Sequence, residues 1–370
     1  MISSFSFPTP ILHGVGSLDE LPARLVQLGV KHPLIVTDRG LLATDAFALL
    51  RKLLPEETPV FSDVHPNPLA VDVIAGAAAW REAKCDGIIG FGGGSALDVA
   101  KIIRAAVTHS NKHWQELTWQ DHPGDLPPFI AIPTTAGTGS EVGRSSVITF
   151  QKTKRVIFHP ALLAKLVILD PRVTAGLPPK LTAATGVDAL THCIESYTSP
   201  VFHPLCDAIA LEGARIAFEH LPRAVENGSD LEARGMMQIA AAMGGIAFQK
   251  DLGATHSLSH PLSAHFSLNH GLANGLCLLP VMRLNAERKP GVYRRVGISL
   301  GLADTSDAAV IAATETLLTR IGITGGLHPH GVDEASLGML ADAAFADSCH
   351  ATNPVPVTRD DLLALYRAAL

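Results

Sequence analysis

Asp86-Gly-Ile-Ile-Gly-Phe-Gly-Gly-Gly-Ser95 is the stretch that decides the fold of the N-terminal half. A short apolar run passes through three consecutive glycines into an alanine-rich segment, residues 96–107, with helical spacing. Bare glycines allow a diphosphate to approach the backbone N–H groups at the start of a helix, although tight packing alone also explains such a turn. Ser95 replaces the third glycine of the usual dinucleotide fingerprint, and no acidic residue ends a strand about 20 residues downstream. The stretch predicts a strand, a helix and an atypical phosphate-binding turn between them.

Similar apolar runs occur on both sides of this stretch, at residues 33–37, 58–61 and 129–132, and they alternate with segments of helical spacing. This alternation predicts a parallel sheet covered by helices, with ligands at the carboxyl ends of its strands. After a Pro/Gly-rich segment that ends at Pro179, the β-branched runs stop and only helical spacing follows. We therefore predict an α/β, Rossmann-like domain over residues 1–176 and an all-α domain over residues 177–370.

The composition narrows the class of protein. A chain of 370 residues with 47% apolar residues is large enough for two cores. A formal net charge of −6 gives no basic surface for nucleic acid. The five cysteines lack Cys-x-x-Cys spacing, which argues against a disulfide framework and a thiolate zinc site. The N-terminus lacks signal-peptide features and no apolar run is long enough for a bilayer, so we expect a cytoplasmic protein without a membrane partner.

Two further strand ends carry polar groups suited to a dinucleotide. Asp38 follows the run at residues 33–37, where its carboxylate would accept from ribose hydroxyls and repel a 2′-phosphate, or would simply cap a helix. The loop at residues 133–141 has more hydroxyl and glycine residues than a turn requires, which favours ligand binding. The preference for NAD over NADP depends on Asp38 alone.

The C-terminal half contains four histidines in one short stretch, His256, His260, His265 and His270. Any one of them alone would be an ordinary half-buried imidazole. Upstream, Asp188 and His192 are four residues apart and would share one face of a helix. Together the two segments resemble a metal site.

Four motifs occur in order along the chain: Gly92-Gly-Gly-Ser95-x-x-Asp98-x-Ala-Lys101, the loop at 133–141, Gly186-Val-Asp-Ala-Leu-Thr-His192-x-x-Glu195, and the stretch 256–270. In this combination the chain resembles the iron-containing (group III) alcohol dehydrogenases. The resemblance implies an N-terminal dinucleotide-binding domain, a helical domain and an active site in the cleft between them. It implies metal ligation by Asp188, His192, His256 and His270. The residues expected to bind NAD(H) are Asp38, Asn67, Gly92, Gly93, Gly94, Ser95, Asp98, Thr134, Thr135, Thr138 and Lys154.

The implied ligand set agrees with elementary metal chemistry. One carboxylate and three neutral imidazoles leave a divalent ion with a net charge near +1, enough to polarise a bound oxygen. Fe(II) and Zn(II) both suit such ligands, and the sequence does not distinguish them.

His260 matches a histidine that the family places near the nicotinamide and substrate, which implies a proton relay. Because it precedes Pro261, we expect a non-helical backbone at His260, so that it need not share the face of the ligands. His265 has no counterpart in the motif. Lys250 either meets an anionic substrate group or is a solvated lysine paired with Asp251. Cys349 either lines the pocket or is a plain buried thiol.

The expected activity is hydride transfer between NAD(H) and a small primary or short-chain alcohol or its aldehyde or ketone. Alternatives within the superfamily are a maleylacetate reductase-like enzyme and a hydroxy-acid or semialdehyde dehydrogenase of the 4-hydroxybutyrate type. More distant alternatives are a zinc hydrolase and a binding module without catalysis. The family also suggests a homodimer or higher homo-oligomer.

Overall fold

The computed structural model describes residues 7, 9–109, 114, 124–150 and 153–370, with residues 153 and 154 described by their backbone alone. The chain divides into two compact units. The first comprises Met1–Thr135 and Gly139–Leu177, and the second comprises Ala136–Thr138 and Pro178–Leu370.

A parallel sheet forms the centre of the first unit. Its strands are β1 (Ile11–His13), β2 (Pro33–Val36), β3 (Val60–Phe61), β4 (Gly87–Gly92), β5 (Phe129–Pro133) and β8 (Leu166–Leu169). They lie in the order β1-β8-β5-β4-β2-β3, with Val36 opposite Gly90 and Gly92 opposite Pro133. The chain leaves β2 towards one edge and β4 towards the other. Ligands bind at such a reversal, so the carboxyl ends of β2 and β4 are the expected place.

Helices α1 (Leu21–Gln27), α2 (Asp45–Arg51), α3 (Ala70–Glu82) and α4 (Gly94–Thr108) connect the strands. Strands β2, β4, β5 and β8 are buried along their whole length, as expected for a sheet covered on both faces. An antiparallel hairpin, β6 (Ser145–Phe150) and β7 (Thr153–Phe158), forms a separate two-stranded sheet. The predicted α/β class of this unit is confirmed.

The second unit is helical. Its helices are α5 (Pro179–Thr198), α6 (Pro204–Glu226), α7 (Leu231–Ala247), α8 (Ala254–Phe266), α9 (His270–Arg288), α10 (Arg294–Ser299), α11 (Asp307–Arg320), α12 (Leu337–Ala346) and α13 (Arg359–Ala369). One apolar core joins them, with α5 buried over most of its length. Thr358 caps α13 as predicted, because its hydroxyl accepts from the Asp361 N–H.

The backbone at His260 differs from the prediction. Helix α8 continues through Pro261, so His260 is helical and lies one turn after His256. The proline lacks an N–H and disfavours a helical residue before it. Leu258, Pro261 and Leu262 are all buried, and this burial compensates for the local preference.

No helix among the described residues is sufficiently long and apolar to cross a membrane.

Candidate active site

Three of the predicted NAD(H)-binding segments meet at the carboxyl edge of the first unit's sheet. A Cβ atom on Gly92 would lie 2.7 Å from the Ala96 Cβ and 3.8 Å from Asp38 Oδ2, so the end of β4, the start of α4 and Asp38 are close neighbours. The Thr134 N–H donates to the Gly92 carbonyl at 3.0 Å. The N-cap residue of α4, Gly93, has no side chain to cap the helix, so the first N–H groups of α4 suit an anion.

Other residues of the predicted NAD(H)-binding set lie near this edge of the sheet. Thr135 Oγ1 would lie 3.5 Å from a Cβ on Gly93. Ser95 Oγ donates to the Pro66 carbonyl at 2.6 Å, which brings the exposed Asn67 near the start of α4. Gly94 is the first residue of α4.

Asp98 has mainly protein partners in this structure. Its Oδ1 accepts from Ser140 Oγ at 2.6 Å, and its Oδ2 accepts from the Val147 N–H at 2.9 Å. The fully buried Lys101 lies 3.5 Å from the same carboxylate. These contacts connect α4 to the hairpin.

Thr138 and Lys154 are the last two members of the predicted NAD(H)-binding set. Thr138 lies in the loop after β5, within the short segment that groups with the second unit. Lys154 lies in β7 and pairs with Thr149 of β6, and its side chain lies outside the described residues.

The second unit brings the four predicted metal ligands together. Nε2 of His192, His256 and His270 lie 3.8, 3.8 and 3.5 Å from a single oxygen, Asp188 Oδ1. The side chains come from α5, from α8 and from the first residue of α9. Asp188, His256 and His270 have ligand atoms within 4.8 Å of one another and could hold a metal ion, whereas His192 lies outside this closer group.

The charges at this centre favour a cation. Burial opposes ionisation of Asp188, but attraction to its histidine neighbours holds the pKa of its carboxyl well below the usual range. Burial lowers the pKa of His192 to about 4 and that of His270 well below its usual value, so both imidazoles are neutral. Burial acts the same way on His256, but the neighbouring carboxylates of Asp188 and Glu195 outweigh it and raise its pKa to about 9. Asp188 and Glu195 are thus two buried carboxylates whose negative charge needs a positive partner. A bound divalent ion would supply that charge.

Two neighbours of the ligands were not predicted as site residues. Glu195 Oε2 accepts from His256 Nδ1 at 2.6 Å. The buried Asn274 Nδ2 donates to Asp188 Oδ1 at 2.7 Å and lies 3.2 and 3.3 Å from Nε2 of His256 and His270. Helical spacing contains a signal for both, because Glu195 is seven residues after Asp188 and Asn274 is four after His270.

His260 lies beside this centre and has its own carboxylate partner. Its ring stacks on His270 with centroids 5.3 Å apart, and its Nδ1 lies 2.8 Å from Asp347 Oδ2. A carboxylate only accepts, so a neutral His260 carries its proton on Nδ1 and leaves Nε2 as an acceptor. Asp347 also accepts from Ser257 Oγ and the Cys349 N–H. No local pattern in the sequence indicates Asp347.

Lys250 is neither solvated nor paired with Asp251, so that prediction is wrong. The side chain is 2% exposed and donates to Asp207 and to the Tyr197 carbonyl, the latter at 3.2 Å. Residue 250 ends a short 3-10 turn between α7 and α8, which directs its ammonium back towards α5 and α6. Cys349 is half-buried, and burial together with Asp347 raises the pKa of its thiol.

Family models cover both units. Residues 8–171 match the model described as iron-containing alcohol dehydrogenase, and residues 182–370 match the C-terminal model of the Fe-containing alcohol dehydrogenase family. The chain is 37% identical to 4-hydroxybutyrate dehydrogenase of Cupriavidus necator, over 94% of each chain. It is 36% identical to 1,3-propanediol dehydrogenase of Klebsiella pneumoniae, over 98% of this chain and 97% of the other.

Solved structures give the same result. A 1,3-propanediol oxidoreductase superposes with a TM-score of 0.94 and 34% identity, covering 100% of both chains. A sulfoacetaldehyde reductase from Bifidobacterium kashiwanohense, in complex with NAD+, has a TM-score of 0.91 and 30% identity, covering 100% of this chain and 99% of the other.

These matches confirm the predicted fold class and enzyme class, together with a family chemistry that uses NAD(H) and a divalent metal. The two distant alternatives, a zinc hydrolase and a binding module without catalysis, are inconsistent with these matches. The chain belongs to the iron-containing alcohol dehydrogenase family.

Proposed function

We propose that Asp188, His192, His256 and His270 hold Fe(II) or Zn(II) in an NAD(H)-dependent dehydrogenase that interconverts a small primary or short-chain alcohol and its aldehyde or ketone. The observation that carries the proposal is the approach of three Nε2 atoms to Asp188 Oδ1 at 3.5–3.8 Å. Metal ligation requires an ionised carboxylate and neutral imidazoles, so a divalent ion would displace the proton that His256 holds without a metal.

The metal supplies Lewis acidity, which stabilises negative charge on the substrate oxygen. The side chains supply position and proton transfer. His192 and His256 are buried, which keeps water from two sides of the centre, whereas His270 is partly exposed. His260 accepts the alcohol proton on Nε2, and Asp347 stabilises the imidazolium that forms. Bound NAD(H) would supply the group that accepts or donates the hydride.

For the cofactor, we propose that Asp38 binds the adenosine ribose and that the Gly92–Ser95 turn binds the diphosphate. The proximity of Asp38 to Gly92 and the uncapped start of α4 support this assignment. Thr134, Thr135 and Thr138 follow the neighbouring strand and are assigned to the nicotinamide half, with Asn67, Asp98 and Lys154 as further members of the predicted set.

A neutral alcohol is the preferred substrate class. The hydroxy-acid alternative depended on Lys250, whose ammonium is buried against Asp207. One relative is nevertheless a 4-hydroxybutyrate dehydrogenase, so the substrate panel must include hydroxy acids. We also propose a cytoplasmic location and a homodimeric or higher homo-oligomeric state, the latter tested by light scattering.

The decisive experiment combines metal reconstitution with a substrate panel. The apoprotein is loaded with Fe(II) or Zn(II) and assayed with NAD+ or NADH on diols, simple alcohols, aldehydes, hydroxy acids and maleylacetate. His256→Ala and His270→Ala should lose turnover and metal together, while the exposed His265→Ala serves as the control. Full activity in a metal-free variant would overturn the metal assignment, and preferred turnover of an acid would overturn the substrate class.

A further inference from the structure

We infer that Glu195 is a positioning residue that fixes His256 in the orientation and tautomer required for metal binding. The inference rests on the proposed ligand role of His256. It extends the site from four side chains to a fifth, which would not touch the metal.

One face of α5 presents Asp188, His192 and Glu195 at intervals of four and three residues, so the three side chains form a single stripe. The first two approach the centre directly. Glu195 instead reaches the beginning of α8, 61 residues later in sequence, where it meets His256. A single helix face therefore contributes two ligands and the support for a third.

The Glu195 carboxylate is 5% exposed and accepts three hydrogen bonds from this one segment. Oε2 accepts from His256 Nδ1 at 2.6 Å and from the Gly253 N–H at 3.0 Å. Oε1 accepts from the Thr255 N–H at 2.7 Å. A Cβ atom on residue 253 would lie 2.8 Å from Oε1, so glycine is the residue that permits this close approach.

These contacts decide which ring nitrogen of His256 faces the metal. Because the carboxylate accepts from Nδ1–H, the neutral imidazole presents an unprotonated Nε2, and that atom lies 3.8 Å from Asp188 Oδ1. The partner charge also makes Nε2 a stronger donor to a metal. With Asp188 and Glu195 both ionised, the charge of a bound divalent ion is formally balanced at the centre.

A purely structural role is the competing explanation, since the two backbone bonds also cap α8. Asn353 provides a matched comparison at the same helix end. Its Oδ1 accepts from the Ala254 N–H at 3.2 Å, and no hydrogen bond between its side chain and His256 is found in the described part of the chain. Removing Asn353 should therefore weaken the helix end and leave the imidazole in place.

The test measures metal affinity directly, in the absence of NAD(H) and substrate. Wild type, Glu195→Gln and Asn353→Ala are titrated with Zn(II) against a chromophoric chelator, and with Co(II) while the visible absorption is recorded. Glu195→Gln removes the charge and at least one acceptor, and we expect binding about 10–100-fold weaker with an altered Co(II) spectrum. Asn353→Ala should lose thermal stability but bind within about twofold of wild type, with the wild-type spectrum.

Equal affinity in Glu195→Gln and wild type would overturn the inference, as would equal weakening in Glu195→Gln and Asn353→Ala. If Glu195→Gln does not fold, Glu195→Asp takes its place, because it keeps the charge but shortens the side chain. Unchanged metal affinity in Glu195→Asp would then overturn the inference. His256→Ala separates the two proposals. Unchanged metal binding there contradicts the proposed ligand set, whereas loss in His256→Ala but not in the Glu195 variants contradicts only the positioning role.

Discussion

Gly271→Ala should separate α5 and α9, two helices that contribute proposed metal ligands. Gly271 follows His270 at the start of α9, where the helix packs on α5. A Cβ atom there would lie 2.0 Å from the Ala184 carbonyl oxygen and 2.7 Å from its carbon. Both are backbone atoms, so no side-chain rotation relieves the clash.

The size of the effect follows from these distances. An ordinary carbon–oxygen contact is about 3.3 Å, so α9 must move by roughly 1 Å relative to α5. Overpacking of this kind costs about 1–3 kcal/mol, which lowers Tm by about 2–12 °C. Metal–ligand bonds tolerate only about 0.2 Å. Since His270 and Asp188 lie on opposite sides of this contact, metal affinity should fall together with stability.

Calorimetry of the metal-free protein and chelator competition measure the two effects separately. Gly338→Ala is the control, because the nearest heavy atom to its Cβ would be Arg359 Nη2 at 3.9 Å and alanine favours the helical backbone of α12. The control should be as stable as wild type or more stable. Wild-type Tm and metal affinity in Gly271→Ala would refute the reasoning, and a lowered Tm with unchanged affinity would show that this helix contact does not set the geometry of the centre.

Three further outcomes are expected. Asp38→Gly should raise the use of NADPH relative to NADH in kcat/KM, and an unchanged ratio would contradict the assignment to ribose. Lys250→Met should lower Tm, because it leaves Asp207 without its buried ammonium partner, but it should not raise KM for hydroxy acids more than for alcohols; a selective rise would restore the anion-binding role. Burial raises the pKa of Glu141 to about 7, so the unfolded chain releases this proton at lower pH and stability should fall as pH rises from about 4.5 to 7. Glu141→Gln should remove that fall and gain on the order of 3 kcal/mol at pH 8, measured by denaturant unfolding, with no gain at pH 4.

The order of elements and the class of each unit could be predicted from sequence. Continuous apolar runs such as β4 form buried parallel strands because both faces of the sheet are covered. The glycine-rich turn before α4 and the stripe of Asp188 and His192 on α5 are local patterns, and the structure places them as their spacing indicates. The non-helical backbone predicted for His260 before Pro261 was wrong, because burial of α8 in the core outweighs that local preference.

The sequence could not indicate which distant residues the side chains of the site contact. Glu195 and His256 are 61 residues apart, His260 and Asp347 are 87 apart, and Lys250 and Asp207 are 43 apart. Spacing along one helix defines which side chains share a face, but not which distant helix that face meets. The sequence by itself determined the class of each unit and the family chemistry, and it predicted the residues that we propose as metal ligands. The tertiary structure alone decided the carboxylate partners of His256 and His260 and the burial of Lys250, because each depends on packing between helices that no local pattern encodes.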